Sequence, residues 1–331
     1  MNINLGEIKV AGEFKVVLKN RKGKIVKETP WNNNLLTDSF FASSAATTIH
    51  GFVGTGTVPP ANTDTKLSAL VGTASSSSTT TGSVTLEGDS TLGYTTTTQT
   101  RVFKWTLGAI NANISEWGLA SSSSISTYEL RVRSLIKDAN GDPTTISVTS
   151  QDQLEIWWRL KKFTPGANNM NSATQSFTLN GVPTDVTIKN INPLKLATYC
   201  LSDISPTTLN TSGGFLECYT VVANSAGLTA LTDAAPGDDV AYYSISHEQS
   251  NAFNSTYAPV ANGGKFTLSS TLGLLGSAAN TNLLALAIGR YTSSYAFRSD
   301  FMYSIVTFNP QFIKGVDKIL SITLSYTVTR A

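Results

Sequence analysis

Charge is what this sequence has least of. Only 14% of its 331 residues are Asp, Glu, Lys or Arg, against roughly 25% in an ordinary globular chain. The formal net charge is +2. That argues against a nucleic-acid partner, since such binders carry a large basic excess or a concentrated patch. Histidine is almost missing, with only His50 and His247. Cysteine is too, with only Cys200 and Cys218. They stand too far apart for a metal knuckle and read as two free thiols in a reducing compartment, although the spacing leaves a disulfide open. No apolar run approaches the roughly 20 residues that span a bilayer, so no membrane insertion is expected. The opening "MNINLGEIKV" has no charged start followed by an apolar stretch. No signal peptide is therefore read there, and synthesis and assembly in a cytoplasm are expected.

What is present fits strands. Hydrophobic residues make up 40%, enough for a core. Ser, Thr and Asn supply the polarity that charge does not, and they suit strand faces and turns better than helix interiors. "QLEIWWRLKKF" alternates Leu154, Ile156, Trp158 and Leu160 with Glu155, Trp157, Arg159 and Lys161. "ILSITLSYTVTR" alternates Leu320, Ile322, Leu324, Tyr326 and Val328 with Ser and Thr, and "RVFKWTL" aligns Phe103, Trp105 and Leu107. Period-two patterning with one apolar face predicts antiparallel sheets, wet on one side. Gly23 in "KNRKGKI" and Asn140-Gly141 in "KDANGDP" supply turns. A threonine-capped "TDTKLSALVG" predicts one short helix. Near the N-terminus Lys15, Lys19, Arg21, Lys22, Lys24 and Lys27 cluster, with Lys15 and Lys19 interleaved with Phe14, Val16 and Leu18. They read as a solvated strand face rather than a binding patch.

The predicted fold class is all-β, with two antiparallel, jelly-roll-like β-sandwich domains. "ASSSSTTTGS" and "ASSSSIS" are small, polar loops. "FTPGANNMNSATQ" breaks the strand pattern and reads as a linker, dividing the chain into domains 1–165 and 166–331. The halves close alike, with "SLIKDANGDPTTISVTSQDQLEIWWRLKKF" and "SIVTFNPQFIKGVDKILSITLSYTVTRA". Internal duplication and shared strand grammar both produce such a likeness.

Chemistry is poorly supplied. "GFVGTGTVPPANTDTKL" (residues 51–67) looks like a phosphate cradle. However, no lysine follows in P-loop register, and Pro59 and Pro60 forbid the helix that would receive the phosphate. It reads as a tight glycine turn followed by a proline-stiffened segment. There is no Gly-x-Ser-x-Gly elbow and no metal-ligand cluster. Glu116, Asp152 and Glu155 are the carboxylates that a glycosidase pairing would draw on, yet each has an ordinary strand or turn role. The reading is a non-enzyme with no cofactor and no metal site. The best candidate for recognition is "GRYTSSYAFRSDFMYS", where Arg290, Tyr291, Tyr295, Phe297 and Arg298 lie close together. Tyr and Arg favour interfaces and sugar contacts. Strand core explains Phe297, Phe301 and Tyr303 equally well.

Four stretches carry a resemblance in series. They are "VLKNRKGKIVKETPWNNNLLTD", "VGTGTVPPANTDTKL", "NISEWGL" and "SLIKDANGDPTTISVTSQDQLEIWWRL". Their order and spacing resemble a family of tailed-bacteriophage structural proteins described as tail, tail-fibre or generic virion proteins. The resemblance covers the first half; the second half shares mainly its closing strands. It implies a tail-associated virion component, of sheath, fibre or tip type, that assembles as a homo-oligomer with other virion proteins. The first domain would anchor to the particle. The second would face outward toward a host-surface glycan or receptor. It also implies that 53–67 crosses between sheets; on physical grounds Gly54 and Gly56 permit a chain reversal there. "ISEWGL" would be a core strand, with Ile114 and Trp117 near Leu119. Other readings are a carbohydrate-recognising receptor-binding module, a capsid decoration or collar protein, and a depolymerase.

Overall fold

The computed structural model describes residues 2–42, 49–73, 85–89, 94–165, 173–179, 181–190, 216–222, 254–272, 281–290, 302–314 and 320–331. Among them the chain is predominantly strand. Its first half runs β1 (Asn2–Asn20), β2 (Ile25–Glu28), β3 (Asn32–Leu36), a short helix α1 (Asp38–Ala42), β4 (His50–Gly54), β5 (Leu70–Thr73), β6 (Thr85–Asp89) and β7 (Tyr94–Trp105). It continues with β8 (Ala112–Ile114), β9 (Glu116–Ala120), β10 (Leu130–Leu135), β11 (Ile146–Val148) and β12 (Asp152–Pro165). The second half runs β13 (Ala173–Leu179), β14 (Val182–Asn190), β15 (Leu216–Val222), β16 (Asn254–Val260), β17 (Gly263–Leu272), β18 (Thr281–Arg290), β19 (Met302–Lys314) and β20 (Leu320–Arg330).

The long strand β1 is the spine. Along one edge it pairs antiparallel with β12, from Lys9 opposite Phe163 to Asn20 opposite Asp152. Its other edge is shared in succession by β20, β3 and β2. Beyond β12 the sheet continues to β7 and then β6. Strand β3 changes partners midway. Asn32, Asn33 and Asn34 face β1, whereas Leu35 and Leu36 face β10. From β10 the order runs to β9, β4 and β5. The two arms meet through side chains: the rings of Phe14 (β1) and Trp117 (β9) lie 4.9 Å apart. Gly51 on β4 sits where a Cβ would touch Phe103 and Trp105 of β7.

The alternation read in the sequence places this core. Leu154, Ile156, Trp158 and Leu160 are all buried, as are Phe14, Val16 and Leu18 opposite them. Each side chain of this size stabilises the fold by about 1.5–3 kcal/mol. Ile114, Trp117 and Leu119 are buried too, as expected for a core strand. Leu107 departs from the pattern. Strand β7 ends at Trp105, a turn begins, and Leu107 is exposed. The expected turns form, with Gly23 at φ 74° and Gly141 at φ 85°.

Three expectations need correction. The sheets are not purely antiparallel: β20 runs parallel to β1, so the large sheet is mixed. Pairing the first strand with the last requires no hairpin, so parallel order costs no crossover loop here. The short helix does not form at 64–72. Its backbone donors are taken by a buried carboxylate described below, and a short helix forms instead at α1, where Phe40 and Phe41 are buried. The glycine-rich stretch does not cross between sheets, because β4 and β5 on either side of it are antiparallel neighbours.

Strands β16, β17 and β20 continue the first half's sheet through β1, so it runs across position 165. A separate sheet, in the order β13-β14-β19-β18-β15, is built entirely from the second half. The β1–β20 seam ends in a latch. Arg330 donates to the Leu36 carbonyl at 2.7 Å and to Asp38 at 2.6 Å. Its guanidinium lies 4.8 Å from the Phe41 ring. Arg330→Ala is expected to lower unfolding stability by about 1–2 kcal/mol, from the charge-assisted hydrogen bond to Leu36 and the cation–π contact, the Asp38 pair being largely exposed and adding little. Urea denaturation checks this; an unchanged midpoint contradicts it.

Candidate functional site

The predicted recognition run is only partly on view. Arg290 closes β18, opposite Leu216 of β15. Tyr291, Tyr295, Phe297 and Arg298 lie outside the described residues, as do Cys200 and His247. Cys218 is in β15, opposite Ile288.

The most organised polar site among the described residues is the glycine-rich stretch itself. Residues 55–69 form a compact loop whose ends meet at the β4–β5 pair, and a buried ion pair underlies it. Trp117 of β9 turns inward to Phe14, so its neighbour Glu116 turns outward, beneath the loop. Arg133 of β10 shares that face. Its Nη2 lies 2.8 Å from Glu116 Oε2, with the two side chains 3% and 0% exposed. Charges so deeply buried persist only when every lone pair and proton is matched. Here they are. The Glu116 carboxylate accepts from the backbone N–H of Gly56 at 3.2 Å, Ser68 at 3.2 Å and Ala69 at 2.7 Å, and from the Ser68 hydroxyl at 3.0 Å. Arg133 donates to Asp64 at 2.5 Å and to the Val58 carbonyl at 3.0 Å. The loop therefore folds over a charged centre rather than over an apolar one.

This explains the glycines differently from the expectation. Neither Gly54 nor Gly56 adopts a left-handed conformation. A Cβ at either would collide with the Glu116 side chain, and at Gly56 also with the Ser68 hydroxyl. They are small because the backbone runs against the carboxylate, not because the chain reverses there. Beside the ion pair, Tyr128 stacks on Phe52 with ring centroids 4.2 Å apart. The Leu67 N–H donates to the Tyr128 hydroxyl at 3.2 Å, and Lys66 sits 3.9 Å from the same ring. Phe52, Leu67, Ala120, Tyr128 and Leu130 close into a small apolar cluster under the loop's far end.

A second polar group lies on the outer face of β1, β12 and β7. Glu155 is 1% exposed although it belongs to the predicted wet face. It accepts from Lys19 at 2.8 Å, Gln153 at 2.9 Å and the Trp157 indole at 3.0 Å. Lys15 lies between Trp31 and Trp157, 5.4 and 5.0 Å from their rings, and pairs with Glu28. Arg159 stacks on Trp31 at 4.1 Å and pairs with Glu13, which also receives Lys161 at 2.6 Å. Long side chains thus roof this face and bury Val17 and Val102 on it.

The electrostatics follow from these contacts. Burial pushes the Glu116 carboxyl up, but the Ala69 N–H, Arg133 and Ser68 outweigh it and hold the pKa below the ordinary carboxylate value. Burial likewise opposes ionisation of Glu155 and Glu13. Lys19 and Trp157 win at Glu155, and Lys161 and Arg159 win at Glu13, so both pKa values are lowered. Groups held ionised in this way are poor proton donors near neutral pH. Asp152, the remaining carboxylate of the three considered for catalysis, accepts from the Thr149 N–H at 2.9 Å and closes a turn. The described residues include no group of three or more His, Cys, Asp or Glu able to hold a metal ion.

Sequence reasoning passed over Arg133, Asp64 and Tyr128. A signal existed for the first. "LRVRSL" places arginines inside a strand whose apolar residues are core, and a charge there demands a buried partner.

Comparison with known proteins returns no matching family model, no matching curated protein and no matching solved structure.

Two predictions follow from the ion pair. Arg133→Met leaves the buried Glu116 carboxylate without its counterion and is expected to cost about 3–5 kcal/mol; Glu116→Gln leaves Arg133 paired with Asp64 and is expected to cost less. The double variant should cost less than the sum, because each substitution removes the same interaction. With the Glu116 pKa lowered by folding, its contribution is fully present above the unfolded value of about 4.3 and is lost as pH falls through the folded value. Glu116→Gln should therefore show a shallower loss of stability in acid than the parent chain, measured as urea midpoints across pH. Separately, Gly56→Ala should destabilise by about 1–3 kcal/mol, as overpacking does; an unchanged melting temperature would refute the close-approach account.

Proposed function

We propose that this chain is a structural component of a tailed-bacteriophage virion, tail-associated, which assembles with copies of itself and with other virion proteins. One observation carries the reading. The four stretches that resemble the family interlock in one body. The first supplies the end of β1, then β2, β3 and the start of α1. The second supplies the end of β4 and the loop 55–67; the third, most of β9; the last, the end of β10, then β11 and most of β12. Glu116 of the third stretch accepts from the Gly56 N–H of the second, β9 pairs with Ser134 and Leu135 of the fourth, and the end of β1 in the first pairs with β12 of the fourth. What resembles the family is thus a mechanical frame. The committed state of Glu116, Glu155 and Asp152 supports a structural over an enzymatic role.

In this reading the chain has two β-sandwich bodies of jelly-roll type: one built on the β1 sheet, which takes in β16, β17 and β20 from beyond 165, and one built on the β13-β14-β19-β18-β15 sheet. The first docks on the particle and on sibling copies. The second, with the 290–298 run, faces the host surface. Weak surface charge favours packing of identical neighbours, since few ions need desolvating. Closed symmetric assembly gives exposed strand edges a partner.

The test is location and copy number. Antibody raised to the purified chain should label the tail in electron micrographs of intact particles, and the chain alone should form a discrete oligomer in sedimentation analysis. Particles that lack the chain, or a chain monomeric at about millimolar ligand-free concentration, well above the Kd of an ordinary specific interface, would overturn the proposal.

A further inference from the structure

The six cations clustered near the N-terminus divide in the structure. Lys15 and Lys19 lie on the sheet face and are paired, with Glu28 and Glu155. Arg21, Lys22 and Lys24 lie in the turn that joins β1 to β2, and Lys27 lies on the edge strand β2, opposite Leu18. Every residue from 21 to 28 is exposed, and these four cations have no acidic partner among the described residues. Residues 21–27 contain no acid, and the whole chain nets +2, so everything outside this tip is net negative. The chain's positive charge is concentrated on one projection.

The projection is stiff. Asn20 accepts through its side chain from the N–H groups of Lys22 at 3.0 Å and Lys24 at 3.1 Å. Its own N–H donates to the Lys24 carbonyl at 2.9 Å, and Gly23 occupies the left-handed position. Between Lys24 and Lys27 stand two aliphatic side chains, Ile25 at 48% and Val26 at 52% exposure. Adjacent exposed aliphatics flanked by unpaired cations match an occupant that is both anionic and oily.

We propose that the 21–27 hairpin tip is a docking point for the surface of an anionic phospholipid bilayer. The cations meet headgroup phosphates and carboxylates, and Ile25 and Val26 enter the acyl boundary. This is contact, not spanning: among the described residues no helix is long and apolar enough to cross a membrane. The alternatives fit less well. Single-stranded nucleic acid binds through aromatic stacking as well as charge, and residues 20–28 contain no aromatic side chain. A second copy docking edge to edge through β2 would bring like charges together, and flanking lysines are a known guard against such pairing. The inference stands apart from the virion reading, since it concerns only this tip.

The purified full chain should co-sediment with vesicles of phosphatidylcholine containing about 30 mol% phosphatidylserine, and not with pure phosphatidylcholine, because each basic residue near an anionic surface adds about fivefold in affinity. Replacing Arg21, Lys22, Lys24 and Lys27 together by Gln should abolish binding, and salt at about 1 M should do the same. Ile25→Ser with Val26→Ser should weaken vesicle binding several-fold at unchanged charge. All six positions are exposed, so melting temperatures should stay close to that of the parent, which separates loss of binding from loss of fold. No binding to the anionic vesicles, equal binding to neutral ones, or an unaffected quadruple variant would overturn the proposal. So would indifference to the Ile25 and Val26 changes combined with equally tight binding to a single-stranded oligonucleotide, since that is the behaviour of a general polyanion site.

Discussion

The first half of this protein is organised around a pair of opposite charges removed from water. Taking Glu116 and Arg133 out of solvent costs several kcal/mol per ion, and their attraction alone does not reliably return it. The surrounding donors and acceptors make the arrangement viable. They all come from one loop: the N–H groups of Gly56, Ser68 and Ala69, the Val58 carbonyl and the Asp64 carboxylate. The dependence is mutual. Without the loop the pair is an unmatched burial, and without the pair the Gly56, Ser68 and Ala69 N–H groups lose their acceptor. An apolar pair of similar volume would pack as well but would leave those N–H groups unpaired. The ionic version therefore specifies one path for the loop, whatever its net contribution to stability.

A second constraint is the length of β1. A strand of 19 residues presents more edge than any single neighbour covers. One side is filled by β12 along most of its length, and the other is divided among three strands from different parts of the sequence. That division brings the end of the chain beside its beginning. The Arg330 contacts with Leu36, Asp38 and Phe41 tie the seam to the turn where β3 leaves the spine. Movement of the C-terminal strand is thereby coupled to the frame that contains the buried ion pair.

For the proposed virion role these two features matter more than any reactive group. A part that bears load needs loops that do not rearrange and ends that do not fray. The ion-paired loop supplies the first and the β1–β20 seam the second. The paired cations on the roofed face of β12 contrast with the unpaired ones at the β1–β2 tip. Neighbours on one sheet neutralise each other, whereas the turn and edge strand that carry Arg21, Lys22, Lys24 and Lys27 meet no acidic partner among the described residues.

Period-two patterning placed the buried faces of β1, β9 and β12 because alternation is a local property of an extended chain. Gly23 and Gly141 were legible as turns for the same local reason. The failures share one cause. "TDTKLSALVG" has the composition of a short helix, but Glu116, distant in sequence, takes the Ser68 and Ala69 N–H groups that a helix would use. Gly54 and Gly56 read as hinges, since nothing nearby in sequence reveals a carboxylate lying against them. Glu155 read as solvent-facing, because the cations that pair with it, Lys19 of β1 and Lys104 of β7, are brought to it only by the sheet. Which residues face inward was thus set by the order of the amino acids alone. Which charges meet, which strand lies parallel to the first, and which cations remain unmatched were decided by tertiary contacts, because burial and pairing depend on groups that only folding brings together.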